Sequence, residues 1–270
     1  LVLAHSDTVS MNNDPALWTI TEPFVPLIKD NRLYGRGAND DKGNMILPIL
    51  AAEALLKSEG TLPVNLKFFF EGEEEIGSPN LPPFIETHRQ QLACDLVICA
   101  DGTTWREDQP ALLTGFRGLC AMQIDIQGPR MDLHSGIYGG TIQNPIHALV
   151  QLLDSMHSPE GKILIEGFYD QVRPPTQAER DGFAAIPFGE AEYKESLGVD
   201  NLFGETGYTT YERAWIRPTL EVNGIWGGFQ DEGVKTVLPQ RAHAKITCRL
   251  APDQTPDKTV ALITAHIKKH

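Results

Sequence analysis

The sequence predicts an α/β protein in two parts: a domain with a mostly parallel sheet flanked by helices, followed by a smaller α+β domain. Apolar strand-like runs that alternate with a helix-periodic segment indicate the first part, because this layout is typical of parallel βαβ units. Strands with clean apolar and polar alternation, such as Arg241–Leu250, indicate an antiparallel sheet in the second part. The pattern changes near Gly115, so we predict domains at residues 1–115 and 116–270.

The chain opens with a short apolar strand that ends in His5, Ser6 and Asp7. In an extended segment, His5 and Asp7 point to the same side. The histidine can then bind a metal ion while the carboxylate holds its other ring nitrogen. A structural histidine also fits this short pattern, so its role depends on what else lies nearby.

A glycine-rich turn, Leu33–Asn44, carries Asp40 and Asp41 and precedes a helix. The turn lacks the pattern of a phosphate-binding loop. Apolar residues at helical spacing predict a helix that has Asp41 as its N-cap and ends at Glu59 and Gly60. A polar turn with no ligand role is the alternative at this point.

An acidic turn follows the next predicted strand, which runs from Val64 to Phe70. Its carboxylates are Glu71, Glu73, Glu74 and Glu75. Adjacent carboxylates repel one another and raise each other's pKa, and a cation placed among them offsets this repulsion. Taken alone, such a charge run is more often a solvated surface.

A helix over Leu81–Leu92 and a third strand over Asp95–Asp101 complete the first domain. Segments that end near one edge of the predicted sheet therefore deliver ligand-type side chains, because sites in such sheets lie at the carboxyl ends of the strands. A histidine with several carboxylates suits Zn²⁺ or Mn²⁺, and the loop of an EF-hand calcium site is absent. The candidate side chains are His5, Asp40, Glu74, Glu75 and Asp101.

The second predicted domain has the element order strand, helix, strand, strand, helix. Its strands run over Leu119–Gly128, Thr219–Gly224 and Arg241–Leu250, and its helices over Asn144–Met156 and Thr255–His270. A polar segment with His134 and several glycines lies between the first strand and the first helix.

The composition restricts the class of protein. The 270 residues carry a formal net charge of −13, which argues against nucleic acid and anionic membranes as partners. No apolar run approaches the roughly 20 residues of a membrane-spanning helix. Three of the four cysteines, Cys99, Cys120 and Cys248, lie in strand-like runs, which predicts reduced core thiols in a cytoplasmic protein. Leu1 begins inside a strand and His270 ends within a helix pattern, so we expect a fragment.

Several motifs, in this order and spacing, resemble one family. AHSDTV, YGRGANDDKGN and FFFEGEEEIGS, followed by ICADG, resemble the co-catalytic metallopeptidases, which include carnosinase-like cytosolic dipeptidases, acetylornithine deacetylase and succinyl-diaminopimelate desuccinylase. DLHSGIYGG, GVKTVLP and ITCRLAP are similar to the carnosinase-like dipeptidase branch in particular. The resemblance covers essentially the whole chain. It implies an incomplete catalytic domain and a lid domain through which two copies form a homodimer.

The resemblance implies two divalent metal ions, Zn²⁺ or Mn²⁺, with Co²⁺ also accepted. It implies that His5 and Asp101 bind the first ion and that Asp7 orients His5. It further implies that Asp40 bridges both ions and precedes a cis peptide bond, and that Glu75 binds the second ion. The family has another histidine ligand farther downstream, so we expect this piece alone to bind metal poorly and to be inactive.

The resemblance also implies the catalytic and substrate-binding roles. Glu74 is implied as the general base, and His134 as the histidine that reaches across a dimer to the substrate carbonyl. Arg249 is implied as the partner of the substrate carboxylate, and Thr236 as a further contact from the lid.

We therefore predict metal-dependent hydrolysis of the peptide bond in dipeptides or short peptides, with a small peptide as the only partner besides a second copy of the chain. An N-acyl amino acid deacylase or desuccinylase with the same site is one alternative, and a non-catalytic relative is another. Arg117 and Arg217 are further candidates for binding a substrate anion.

Overall fold

The computed structural model describes residues 1–10, 17–102, 111, 113 and 115–270. The chain forms two compact units, Leu1–Thr114 and Gly115–His270.

A parallel sheet is the centre of the first unit. Its strands are β1 (Val2–His5), β4 (Phe68–Glu71) and β5 (Ile98–Cys99), in the order β4, β1, β5. Val2 lies beside Phe68 on one side and Ile98 on the other. Both neighbours run parallel to β1, so the carboxyl ends of all three strands meet at the same edge of the sheet. A hairpin of β2 (Leu27–Lys29) and β3 (Arg32–Tyr34) precedes the main helix.

The main helix of this unit, α1 (Lys42–Glu59), has the predicted bounds. Asp41 occupies the N-cap position, although its side chain makes no capping hydrogen bond. Gly60 ends the helix with a φ of 72°, a left-handed conformation that favours glycine. The peptide bond between Asp40 and Asp41 is cis, as the resemblance implies.

Two predictions for the first unit are wrong in detail. The predicted helix over Leu81–Leu92 is divided into α2 (Leu81–Thr87) and α3 (Arg89–Leu92), because His88 leaves the helical conformation and its ring stacks on Phe84 at 4.1 Å. The predicted strands before the acidic turn and before Asp101 are shorter than expected, and the acidic turn itself is a 3₁₀ helix over Glu74–Ile76.

The second unit is built on an antiparallel sheet in the order β6, β10, β8. Its longer strands are β6 (Gly118–Gln127), β8 (Glu221–Gly227) and β10 (Arg241–Leu250). A short antiparallel pair of β7 (Leu133–His134) and β9 (Val237–Leu238) lies apart from this sheet. The helices are α4 (Ser135–Tyr138), α5 (Pro145–Asp154), α6 (Gln177–Ala184), α7 (Glu190–Leu197), α8 (Thr210–Trp215) and α9 (Pro256–Lys269).

One face of this sheet is the core of the second unit. Alternate residues of β10, from Ala242 to Leu250, are buried, and α5 and α9 pack against this face. The helices are amphipathic, with Leu149 of α5 and Ile263 of α9 fully buried. The α+β arrangement, together with the parallel sheet of the first unit, confirms the predicted α/β class.

The cysteines were only partly predicted. Cys120 and Cys248 are buried opposite each other on β6 and β10, as expected for core thiols. Cys99 is exposed, so its prediction as a core residue is wrong. It lies on the two-residue strand β5 at the edge of the parallel sheet, where little of the chain covers it. Cys94 is exposed as well.

Among the described residues, the helices are all too short or too polar to cross a membrane.

Candidate metal centre

The carboxyl edge of the parallel sheet brings together the acids and the histidine that the sequence singles out. His5 ends β1, Asp40 lies in the turn before α1, the acidic 3₁₀ turn follows β4, and Asp101 follows β5. Two groups of three ligand atoms form here, and within each group the atoms lie within 4.8 Å of one another. These groups are His5 with Asp40 and Glu75, and His5 with Glu74 and Asp101.

His5 is the member common to both groups, and its side chain is only 1% exposed. Its Nδ1 lies 3.2 Å from Asp7 Oδ1, while its Nε2 lies 3.0 Å from Asp40 Oδ1 and 3.9 Å from Asp101 Oδ2. Burial lowers the pKa of His5, but the hydrogen bond to Asp40 and the charges of Asp41 and Asp101 outweigh it, so the pKa is raised. The ring therefore has one nitrogen held by a carboxylate and the other facing the acids.

Asp7 connects His5 to the acidic turn. Its carboxylate accepts the backbone N–H of Glu74 at 3.3 Å and that of Glu75 at 3.0 Å. Burial raises the pKa of Asp7, but the backbone hydrogen bonds from Glu75 and Glu74 and the charge of His5 together lower it. Asp7 is therefore a fixed carboxylate that orients both the histidine ring and the turn.

The other acids repel one another. Burial and the charges of Asp101 and Glu75 raise the pKa of Glu74, although the charge of His5 acts in the opposite direction. Burial and the charges of Asp41 and Asp40 likewise raise the pKa of Asp101. Glu75 Oε1 accepts the backbone N–H of Val9 at 3.2 Å, which holds that side chain toward the start of the chain.

Two residues of this region were not identified as contributors from the sequence. Asp41 is fully buried, and its Oδ2 accepts the backbone N–H of His5 at 3.0 Å while its Oδ1 has no partner in the described structure. Asn44, on the first turn of α1, donates from Nδ2 to Asn39 O at 3.0 Å and to Gly102 O at 2.8 Å. The paired aspartates were a sequence signal for Asp41, but we see none for Asn44.

The donor set fits a divalent cation. One imidazole and several carboxylates are the ligands that Zn²⁺ and Mn²⁺ accept. The buried carboxylate oxygen of Asp41 that has no partner among the described residues adds negative charge next to the ligands, and burial of such a charge without compensation is unfavourable. A cation between the acids would reduce both this cost and their mutual repulsion.

The second unit contains the other predicted site residues, and two of them are in contact. Thr236 Oγ1 lies 3.2 Å from His134 Nε2, although the residues are 102 positions apart. The backbone N–H of Gly136 donates to His134 Nδ1 at 3.0 Å. Because Nδ1 accepts, the neutral ring carries its proton on Nε2, and Thr236 is the acceptor of that proton.

The arginine candidates differ in their surroundings. Arg249 lies on the face of β10 away from the core, and its guanidinium makes no hydrogen bond or ion pair with the described residues. Arg217 is buried, and its guanidinium donates to both carboxylate oxygens of Glu205 at 2.8 and 2.7 Å. This pair occupies the guanidinium, so the interpretation of Arg217 as a binder of substrate anions is wrong. Arg117 donates to Arg217 O at 3.1 Å.

Comparisons with known proteins agree on one family. Residues 114–270 match the family described as the peptidase dimerisation domain. The chain is 34% identical over 251 residues to a Beta-Ala-His dipeptidase of Rattus norvegicus, covering 92% of this chain and 51% of that protein. It is 36% identical over 253 residues to a Cys-Gly metallodipeptidase of Schizosaccharomyces pombe, covering 92% of this chain and 53% of that protein.

Solved structures extend this comparison. An M20 family metallo-carboxypeptidase from Sulfolobus solfataricus has a TM-score of 0.87 and 33% identity, over 99% of this chain and 60% of that chain. The chain spans about half the length of the curated relatives it matches.

Proposed function

The chain belongs to the M20 metallopeptidase family, in the branch of the carnosinase-like dipeptidases, and from this premise we propose that the whole protein hydrolyses dipeptides or short peptides in a metal-dependent reaction. The observation that carries the proposal is the meeting of two ligand groups on one buried histidine, His5, at the carboxyl edge of the parallel sheet. A solvated acidic surface does not need a buried histidine with both ring nitrogens facing carboxylates.

The family implies a divalent metal, and we propose that the centre holds two ions, Zn²⁺ or Mn²⁺, with Co²⁺ as a substitute. His5 and Asp101 would hold one ion and Glu75 the other, with Asp40 shared between them. When bound, the ions supply Lewis acidity, which polarises the amide oxygen and lowers the pKa of a water molecule. The geometry around Asp7 supports its role as the residue that fixes the orientation of His5.

Glu74 is the proposed general base. It accepts a proton from the attacking water at its carboxylate and passes that proton to the nitrogen of the leaving amine. Burial and the neighbouring charges of Asp101 and Glu75 act to raise its pKa. Glu74 lies beside His5 and Asp101, and its carboxylate accepts no hydrogen bond from the described residues. The carboxylate is therefore free to take up and release a proton.

The second unit would contribute the contacts to the substrate. We assign to His134 the donation of its Nε2 proton, which faces Thr236 Oγ1 in this structure, to the substrate carbonyl oxygen, where negative charge develops in the transition state. The hydrogen bond from Gly136 to Nδ1 supports this role, because it keeps the proton on Nε2. The guanidinium of Arg249, which pairs with none of the described residues, suits a terminal carboxylate, since its donors can bind both oxygens. Thr236 would hold the His134 ring in place until the substrate oxygen replaces it as the acceptor of the Nε2 proton.

The second unit would also form the contact between two copies of the chain. The match of residues 114–270 to a peptidase dimerisation domain supports a homodimer through the second unit, in which His134 acts on the substrate bound by the partner copy. The proposal therefore assigns metal binding to the domain of residues 1–115 and dimerisation to the domain of residues 116–270. The cytoplasmic location stays a prediction.

The experiment that tests this function uses the full-length protein, stripped of metal and then titrated with Zn²⁺ or Mn²⁺. Hydrolysis of a panel of dipeptides is compared with that of N-acetyl and N-succinyl amino acids, with Glu74→Gln as the control. We expect metal-dependent cleavage of dipeptides that the control lacks. Turnover of the acylated amino acids alone would assign a deacylase, and no turnover of either class with metal bound would favour a non-catalytic relative.

A further inference from the structure

Asn44 joins two segments that carry proposed metal ligands. Its side-chain amide donates to the carbonyl oxygen of Asn39 at 3.0 Å and to that of Gly102 at 2.8 Å. Asn39 immediately precedes Asp40, and Gly102 immediately follows Asp101. One partly buried amide group therefore bridges two loops whose ligands lie 61 positions apart, the difference between residues 101 and 40.

The two bridged loops would otherwise be pushed apart. Asp40 and Asp101 both face His5 Nε2, and the charge of Asp40 acts unfavourably on Asp101. Loops have few packing contacts to resist such repulsion. The two hydrogen bonds of Asn44 oppose it directly, because they attach both loops to the first turn of α1, which is a regular element of 18 residues.

The N-cap residue of the same helix, Asp41, acts on a third segment. Asp41 accepts the backbone N–H of His5 and is itself fully buried. The N-cap and the first turn of α1 thus contact the segments that carry His5, Asp40 and Asp101. Within that turn, only the amide of Asn44 reaches from one loop to the other among the described hydrogen bonds.

We propose that Asn44 is a positioning residue of the metal centre, which holds the loops of Asp40 and Asp101 at the separation that cation binding requires. The proposal rests on the proposed function only in that this centre binds a divalent cation. An amide is needed because both partners are carbonyl oxygens, which accept hydrogen bonds and would repel a carboxylate. Residues that orient metal ligands from outside typically change metal affinity 10–100-fold when they are replaced.

The test measures metal binding to the full-length protein without any substrate. Asn44→Leu keeps the branched shape of the side chain, although it is larger, and has no donor. Asn44→Ala is a smaller alternative if the leucine variant does not fold, and Asn44→Gln restores an amide. Lys57→Ala is the matched control, since it removes an exposed ion pair with Glu53 from the far end of the same helix. Dissociation constants for Zn²⁺ and Mn²⁺ are measured by calorimetry, and the absorption spectrum of the Co²⁺ form reports the coordination geometry.

We expect the leucine and alanine variants to bind metal about 10–100-fold more weakly and to give an altered Co²⁺ spectrum, with partial recovery in Asn44→Gln. Their metal-free circular dichroism should match that of the parent. Parent affinity and an unchanged spectrum in a folded Asn44→Leu or Asn44→Ala variant would overturn the positioning role, whatever the parent hydrolyses. Failure of the parent itself to bind a divalent cation would instead overturn the proposed function, and with it the basis for this role.

Discussion

Replacement of Asp7 by asparagine should weaken metal binding without altering the fold. The carboxylate of Asp7 contacts His5 Nδ1 at 3.2 Å and accepts the backbone N–H groups of Glu74 and Glu75. Its side chain is 19% exposed, so water replaces these contacts poorly. An asparagine keeps one acceptor oxygen but turns its amide group toward an N–H donor, and it removes the negative charge beside the histidine.

The magnitude follows from these contacts. Hydrogen bonds to charged groups contribute about 1.5–3 kcal/mol and neutral ones about 0.5–1.5 kcal/mol. The lost charge and one lost acceptor together should therefore cost about 1.5–3 kcal/mol. At about 1.4 kcal/mol for each tenfold change, this corresponds to roughly a 10–100-fold loss in metal affinity.

Calorimetric titration of the metal-free, full-length protein with Zn²⁺ measures this loss. Asp95→Asn is the control, because it removes an exposed carboxylate of the same unit that makes no hydrogen bond or ion pair with the described residues. An Asp7→Asn protein that binds Zn²⁺ as tightly as Asp95→Asn would refute the view that Asp7 orients the centre.

Four further predictions concern structure and assembly. Arg217→Ala should lower the free energy of unfolding by about 3 kcal/mol, since it leaves the partly buried carboxylate of Glu205 without its partner, and a loss below 1 kcal/mol in urea denaturation would contradict this. Timed alkylation should modify the exposed Cys94 quickly, and Cys99 more slowly because burial and the charge of Asp101 raise its pKa. It should spare Cys120 and Cys248, which are buried, since burial and the nearby Cys120 raise the pKa of Cys248 to about 12. The hydrogen bonds from Arg173 and Thr176 lower the pKa of Glu179 to about 2, so its contribution to stability is complete above about pH 4.5 and lost as the pH falls through 2. Unfolding measured from pH 7 to pH 2 should show the difference between the parent and Glu179→Gln shrinking, and a constant difference would exclude this linkage. Finally, inactive His134→Ala and Glu74→Gln proteins should regain part of the activity when mixed dimers form, whereas mixed dimers without activity would exclude action of His134 on the partner copy.

Features that depend on local sequence were predicted well. The strand Arg241–Leu250 has the predicted bounds, because strict alternation of buried and exposed side chains is visible in the sequence itself. The bounds of α1 follow from the same kind of signal, with Asp41 before the helix and Gly60 after it. The meeting of His5, Glu75 and Asp101 at one edge follows from the parallel topology, once strands and a helix alternate.

Features that depend on distant contacts were not predictable from the pattern. The contact between His134 and Thr236 joins two short strands far apart in the chain. The pairing of Arg217 with Glu205 removes an arginine that looked available for substrate. The sequence gives no signal for Asn44, because its role depends on where the carbonyl groups of two loops lie. The periodicity of side chains does not predict the backbone positions of loops.

The central claim is that the carboxyl edge of the first unit's sheet binds the metal ions of the reaction. Anomalous diffraction from crystals of the full-length protein grown with Zn²⁺ or Mn²⁺ tests it most directly. We predict two peaks next to His5, with ligand distances of roughly 2.0–2.2 Å to His5, Asp40, Glu75 or Asp101. Peaks that lie only at other surface acids, with none beside His5 at saturating metal, would contradict the account.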